Sequence, residues 1–492
     1  EIDTLHLIFE AESGWAMRPE PDLLAAIREE PAGAVRWLEA REPEHFAPTA
    51  PYFERLDALL AELDLIDFFA NGLRVASNEL TPPFDEPSNL PAYVPAEPKK
   101  RSILFAHHCY YNFYYLAKAL RRRGWDAATL SLDAPGADSS KYSHGEDILI
   151  YDQNPEHHRR LVSEFLSQNS HRFGMIHTYG IGVLSLFKEN YDIGRYGLKI
   201  PWDMLEAKRR GILLGYSHCG CLDAVSQNAF RDWSPSMCAN CVWESRSDVC
   251  SDHGNLSWGR KMTSIVDLFC TETDPPLDFK ASPKAFRGPL TFAIDPEIWR
   301  TDLEIPDRFR RKRADGEIIV YHAMGNYDLR SRNGRNVKGT KSIVTAVEEL
   351  RAEGVPIRLD FVKDVSSIDN RFIQTQADII VDQLNYGRYG ALAREGMILG
   401  KPVVGRVNKM DGADLPATQC IHDTPIVQAD ELRVKDVLRD LAQNPQKRQE
   451  IGIHSREHAI HWWSAERLAA RFEQVHDHLR EHGVPPAEED VQ

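Results

Sequence analysis

From residue 102 onward, short apolar runs alternate with amphipathic stretches, and the series occurs twice. SILFAH, DAATLSL, EDILIYD, FGMIHTY, ILLGYS and IVDLFC are strand candidates, separated by helix-like segments such as PEHHRRLVSEFL. A second series starts at EIIVYHA, residues 317–323, and runs through TKSIVTAVEELRAEG, IRLDFVKD, ADIIVDQ, ALAREGMILG and KPVVGRV. Apolar runs of this length, each followed by a helical period, predict parallel sheets covered by helices. In TKSIVTAVEELRAEG the apolar face is Ile343, Val344, Val347 and Leu350, and Gly354 with Pro356 marks the stop. The chain is therefore expected to be α/β, with two Rossmann-like domains joined near 298–315 and facing each other across a cleft. Ligands of open parallel sheets sit at the carboxyl ends of the strands, so each domain can present one substrate.

Ahead of the first series, DLLAAIREE, AGAVRWLEARE and YFERLDALLAELDLIDFFANGL space apolar residues at three and four, which predicts helices. TPPFDEPSNLPAYVPAEPKK, at 81–100, is a proline-rich boundary. The expected organisation is a helical accessory region with linker at 1–98, a first α/β domain at 99–300 and a second at 301–455.

Composition narrows the function classes. At 492 residues the chain exceeds one ordinary core. A formal net charge of −15 argues against nucleic acid as the main partner. Basic clusters at Lys99–Arg101, Arg121–Arg123 and RFRRKR, 308–313, read as solvated surface, with anionic lipid or a polyanionic acceptor as the other reading. No apolar run approaches the roughly 20 residues of a membrane-spanning helix. EIDTLHLIFEAESGW lacks the basic-then-apolar order of a secretory signal, so the expected location is cytoplasmic, with peripheral contact at the inner membrane face left open.

Five of the eight cysteines, Cys219, Cys221, Cys238, Cys241 and Cys250, fall within 32 residues. In a cytosolic protein this clustering points to a metal rather than to disulfides. Cys238 and Cys241 are spaced to chelate one ion, and Cys250 with Cys221 or Cys219 completes four thiolates, His253 being an alternative ligand. A closed set of this kind predicts structural zinc that clamps an insertion, with free buried thiols and an iron-sulfur cluster as the other readings.

The turn after the first strand has no glycine. It holds His107, His108 and Cys109 and leads into Tyr110, Tyr111, Phe113, Tyr114 and Tyr115. A dinucleotide-binding turn there needs glycines, so this turn is not one, and the aromatics predict packing of the first helix. His177 and His218 follow later strands of the same domain. In the second domain, Arg335 and Lys338 precede a helix and can both reach a diphosphate. After ADIIVDQ, a loop with Gly387, Arg388, Tyr389 and Gly390 enters a helix whose amino end favours an anion, and Glu395 lies one turn inside it.

These motifs resemble the donor-binding half of GT-B glycosyltransferases, specifically the retaining family 4. The run Arg335-Asn-Val-Lys338-Gly339-Thr340 is similar to that family's phosphate-contacting pair, and 377–404 is similar to its strand, glycine loop, Glu-bearing helix and Gly-Lys-Pro-Val. FAIDPEIWRTD, 292–302, resembles its interdomain segment. WSAERLAARFEQVHDHL resembles its final helix, so 456–492 is expected to cross back to the first domain. The family's Glu-x7-Glu pair is incomplete: Glu395 matches the second member, and Gly387 stands in the place of the first.

The resemblance implies metal-independent transfer of a sugar from a nucleotide-diphosphate sugar, UDP or GDP type, to a glycan, lipid-linked or protein-linked acceptor. It further implies retention and a place in cell-surface polysaccharide synthesis. His218, His108 and Glu395 become the catalytic candidates. Arg335, Lys338, Gly387, Arg388, Tyr389, Gly390 and Glu395 become donor ligands, and His107, His108, Tyr110 and His177 lie on the acceptor side. A nucleotide-sugar epimerase and an inactive GT-B-like scaffold are the alternatives.

Overall fold

In the computed structural model, residues 100–491 are described, apart from 108–109, 138–141, 170–171, 181, 192–200, 242, 247–248, 272–277, 280–281, 326, 332–334, 364 and 409–423. The expected helical region at 1–98 and His108 lie outside the described residues.

The first domain runs β1 (Ser102–Ala106), α1 (Asn112–Arg122), β2 (Asp126–Ser131), β3 (Ile148–Leu149), α2 (Pro155–Asn169), β4 (Met175–Tyr179), α3 (Trp202–Arg209) and β5 (Leu213–Ser217). Helices α4 (Gln227–Trp233), α5 (Pro235–Ala239) and α6 (Asp252–Ile265) form the cysteine-rich insertion, before β6 (Leu268–Cys270) and β7 (Ala285–Phe286). The second domain contains β8 (Ile318–Ala323), α7 (Tyr327–Ser331), α8 (Thr340–Ala352), β9 (Ile357–Val362), α9 (Ser367–Gln374), β10 (Ile379–Val381), α10 (Ala391–Ile398), β11 (Val403–Gly405), β12 (Val427–Gln428) and α11 (Val434–Gln443). Two long helices close the chain, α12 (Pro445–Trp463) and α13 (Ala465–His482).

Both sheets are parallel throughout. The first has the order β3-β2-β1-β4-β5-β6-β7 and the second β12-β11-β10-β8-β9. The fold is thus two Rossmann-like parallel α/β domains, as the doubled apolar pattern predicts. In the first sheet the order reverses between β1 and β4, and in the second between β8 and β10. Each reversal opens a crevice at the carboxyl ends of two neighbouring strands.

Helix α8 shows how the pattern works. Ile343, Val347 and Leu350 are fully buried, Ala346 joins them and Val344 is only half-buried. Gly354 ends the segment at φ +87°, a conformation that costs glycine nothing. The chain passes between domains twice at one place: Ile294 bridges Ser464, its amide donating to the Trp463 carbonyl and its carbonyl accepting from Ala465. Beyond that crossing, α13 packs on α1 of the first domain. Trp125 Nε1 donates to Glu473 there at 2.8 Å, and Arg123 pairs with the same carboxylate. Helix α12 stays with the second domain and packs on α10. The return to the first domain therefore begins at Ser464.

Candidate functional site

His322 fixes the crevice between β8 and β10. Its Nδ1 donates to the Val381 carbonyl at 2.8 Å, and its Nε2 lies 2.9 Å from Thr340 Oγ1 at the start of α8. Burial, with Lys338 adding to it, pushes its pKa down to about 4, so the ring is a neutral spacer. Lys338 sits across the crevice. Its Nζ is 3.4 Å from the Ala323 carbonyl at the end of β8 and 3.5 Å from Asp382 Oδ1 just past β10. The other Asp382 oxygen accepts from the Gly390 amide at 2.6 Å, where α10 begins. A buried carboxylate, 1% exposed, is thus held by a helix amino terminus and an ammonium together.

The expected loop residues surround this point. Gly387 has φ +92°, and a Cβ on it would lie 2.3 Å from Asn408 Nδ2, so only glycine fits. Arg388 lies over the Tyr386 ring at 4.7 Å and reaches the Tyr389 carbonyl at 3.4 Å, bending back on its own loop. Tyr389 is buried edge-on to Trp463. Arg335 stands 5.2 Å over the ring of Trp243, which belongs to the first domain's insertion. Its Nε is buried with no hydrogen-bond partner among the described residues.

Glu395 departs from expectation. It is 5% exposed; Oε1 accepts from Tyr111 of the first domain at 2.8 Å and Oε2 from Gln374 at 2.6 Å. Burial pushes its pKa up to about 7. Both oxygens are engaged by protein, so in this structure it joins the domains rather than facing a sugar. Around it, Tyr111 packs on Trp299 at 4.5 Å, and His144 stacks on Trp299 at 5.1 Å. His144 also bridges from Tyr115 to Ser367, with 2.7 Å on each side.

In the first domain, the glycine-free turn after β1 is left-handed at two non-glycine residues, His107 and Tyr110, each at φ 54°. The half-buried His107 places Nε2 3.0 Å from both the Ser185 carbonyl and the Tyr191 hydroxyl. Tyr110 packs on Tyr142, whose hydroxyl lies against Gly325 after β8. A Cβ at Gly325 would fall 2.1 Å from that oxygen, so glycine admits the tyrosine. Through Tyr142, Tyr110 is on the side that faces the second domain.

His177 and His218 do not reach a cleft. His177 is fully buried between Phe105 and Phe113, with Nε2 2.7 Å from Ser217 Oγ and its pKa pushed down to about 3 by burial. His218 is also fully buried, its Nε2 bonded to the Asp223 carbonyl and its ring near Phe269. Asp223 in turn accepts from Tyr216, Trp258 and the Cys219 amide, each at 2.6 Å, which makes this corner a packed hydrogen-bond network.

The insertion lies on the glycine loop. Val225, Phe230, Met237 and Cys238 pack against Tyr386, with Cys221 and Val337 at the edge. Ser234 Oγ lies 2.6 Å from the Tyr386 carbonyl and 3.2 Å from that of Asn385. Asn408 Nδ2 donates to Trp233 at 2.7 Å, and Arg406 binds Ser236. The expected four-thiolate zinc site is not assembled: among the described residues no three His, Cys, Asp or Glu side chains are placed to hold a metal. Cys219 donates to Tyr179 instead, at 2.7 Å. Burial in the apolar cluster pushes the Cys238 thiol up to about 11, Cys241 and Cys250 adding to the rise, while Arg231 opposes it.

Sequence reasoning missed Asp382, which reads as the polar end of a strand, and Tyr111, which reads as helix packing. The position of Asp382 directly after an apolar strand was a usable signal; nothing local marks Tyr111.

No family model and no curated protein matches the chain. Among solved structures it is similar to a UDP-N-acetylglucosamine 2-epimerase, at 11% identity over 79% of this chain and 99% of that one, TM-score 0.43. It is similar to sucrose-phosphate synthase from Thermosynechococcus elongatus at 13% identity, over 77% and 99%, TM-score 0.46. Anabaena HepE, solved with UDP and glucose, gives 10% identity over 77% and 99%, TM-score 0.44.

Proposed function

We propose that the protein is a glycosyltransferase that moves a sugar from a nucleotide-diphosphate donor to a glycan or glycoconjugate acceptor. The donor diphosphate is assigned to the crevice between β8 and β10, and the acceptor to the side of His107 and Tyr110. One observation carries this reading: the Lys338 ammonium and the Gly390 amide converge on a single buried carboxylate, Asp382, where the strand order reverses. Open parallel sheets take ligands at that point, and a helix terminus with a cation selects an anion.

In the free protein Asp382 satisfies Lys338. A donor diphosphate brings more charge than one carboxylate and draws the ammonium to itself, while Arg335, on the same loop, supplies a planar second cation. As the bond from the anomeric carbon to the diphosphate oxygen breaks and the bond to the acceptor oxygen forms, negative charge grows on the leaving diphosphate. Lys338 stabilises that charge in the transition state. The leaving phosphate takes the acceptor proton, so no protein base is needed. Retention and a role in surface polysaccharide synthesis come from the family resemblance. Glu395 is assigned to the domain junction instead of the donor.

The test is calorimetric titration with UDP, GDP and the matching nucleosides. Lys338→Met should weaken diphosphate binding at least about tenfold, about 1.4 kcal/mol, and leave nucleoside binding unchanged. Equal loss for both, or for neither, overturns the phosphate assignment. Product analysis with donor alone separates transfer from epimerisation, because an epimerase converts the sugar without consuming an acceptor.

A further inference from the structure

The run RFRRKR, which has no part in the proposed reaction, leads to a second polar cavity. It has a volume of about 240 Å³ and lies at the amino-terminal edge of the second sheet, opposite the Lys338 crevice. Arg311, Arg313, Thr375, Gln376, Asp378 and Lys401 line it. Two of its three cations come from the segment that joins the domains. The third, Lys401, comes from the turn that enters β11.

The charges are unevenly matched. Arg313 pairs with Asp378, and Arg311 Nε donates to Asp360 Oδ2 at 2.8 Å. The Lys401 ammonium has neither hydrogen bond nor ion pair among the described residues. Its pKa is pushed down to about 8 by burial, with Arg313 adding to the effect. At Arg313 the Glu317 carboxylate is opposed by Arg358 and Arg448. A partly buried ammonium beside two guanidiniums is unfavourable unless an anion is shared among them. Gly400, next to Lys401, packs near Thr301 of the connecting segment and the Gly452 carbonyl of α12.

We infer that this cavity is a binding site for a small phosphate-bearing anion, held by Lys401, Arg311 and Arg313 with Thr375 and Gln376 as polar walls. Its volume is that of about eight waters and lies below the roughly 300 Å³ at which drug-sized pockets begin, which suits inorganic phosphate or a short phosphomonoester. An occupant contacts the connector and the second domain at once, and so braces one against the other. A free phosphate and a phosphomonoester lipid headgroup share this chemistry.

The experiment compares wild type, Lys401→Met, Lys401→Arg and Lys338→Met in inorganic phosphate and in chloride at matched ionic strength, reading the melting temperature and calorimetric binding. The site predicts a phosphate-specific rise in Tm that persists in Lys338→Met, is lost in Lys401→Met and returns in Lys401→Arg. Methionine keeps the side-chain length and removes a strained charge, so Lys401→Met should fold as well as wild type without phosphate. A parallel arm measures sedimentation with phosphatidylcholine vesicles containing phosphatidic acid. Capture that depends on Lys401 assigns a headgroup, and binding of free phosphate alone assigns a soluble ligand. The inference is overturned if Lys401→Met responds to phosphate as wild type does, or if wild type binds neither phosphate nor the vesicles.

Discussion

The two domains meet in two places of opposite character. At the junction beside the chain crossing, Tyr111, Trp299, His144 and Glu395 are packed among aromatic rings, and the polar atoms there bond to side chains across the boundary. At the insertion, Ser234 and Asn408 bond mainly to backbone carbonyls of the opposite domain, over a glycine loop. The first contact combines apolar burial with a carboxyl group withdrawn from water, so parting it exposes both. The second loses a smaller apolar cluster around Tyr386 and a few hydrogen bonds. A hinge beside Glu395 and an opening edge at the insertion, over the glycine loop and Arg335, are the expectation, since the cluster on Tyr386 is the smaller of the two.

The largest effect is expected at Glu395. Its folded pKa, about 7, lies above the ordinary value of 4.5, so the protonated form is the one the fold favours. Its contribution to stability is complete below about pH 4.5 and is lost as pH rises through about 7, on the order of 3 kcal/mol. Asp203 and Asp223, also raised to about 6 by burial, act in the same direction. The useful measurement is therefore the difference between wild type and Glu395→Gln in urea midpoints from about pH 5 to pH 8. A flatter slope in the variant is expected; identical slopes would remove Glu395 from the hinge.

A smaller loss is expected from Gly387→Ala, which forces a side chain into a left-handed backbone and against Asn408. A cost of about 1–3 kcal/mol should appear in denaturation, with faster hydrogen exchange in α4 and α5 as the Asn408 contact to Trp233 loosens. Unchanged exchange there would mean that the loop and the insertion are not coupled. The smallest effect belongs to Ser234→Ala, about 1 kcal/mol, since one buried hydroxyl is withdrawn from the carbonyls of Asn385 and Tyr386 and the backbone keeps its shape. A loss as large as that of Gly387→Ala would contradict the opening edge.

The strand ends were the readable part of the candidate crevice. Lys338, Gly387 and Gly390 stand beside the crevice because a lysine before a helix and glycines after an apolar strand have local backbone consequences. The histidines were not readable in the same way. His177 occupies the middle of β4, where the alternation of a buried strand turns it between Phe105 and Phe113. His218 follows β5 but turns back to the Asp223 carbonyl. A histidine near a strand end looks the same in sequence whether it faces solvent or a core.

By itself, the sequence determined two series of parallel strands and helices, the stop at Gly354 and the glycine loop, because each rests on apolar period or backbone freedom within a few residues. Of the two-residue edge strands β3, β7 and β12, only β3 falls in a run read as a strand, EDILIYD, since two residues carry no period. Only the tertiary structure decided that Tyr111 meets Glu395 across 284 positions, that Asp382 occupies the convergence of Lys338 and Gly390, and that the cysteine-rich insertion lies on Tyr386. Those partners are chosen by how two sheets and a returning helix pack, and no local period encodes which buried polar atom is nearest once they do.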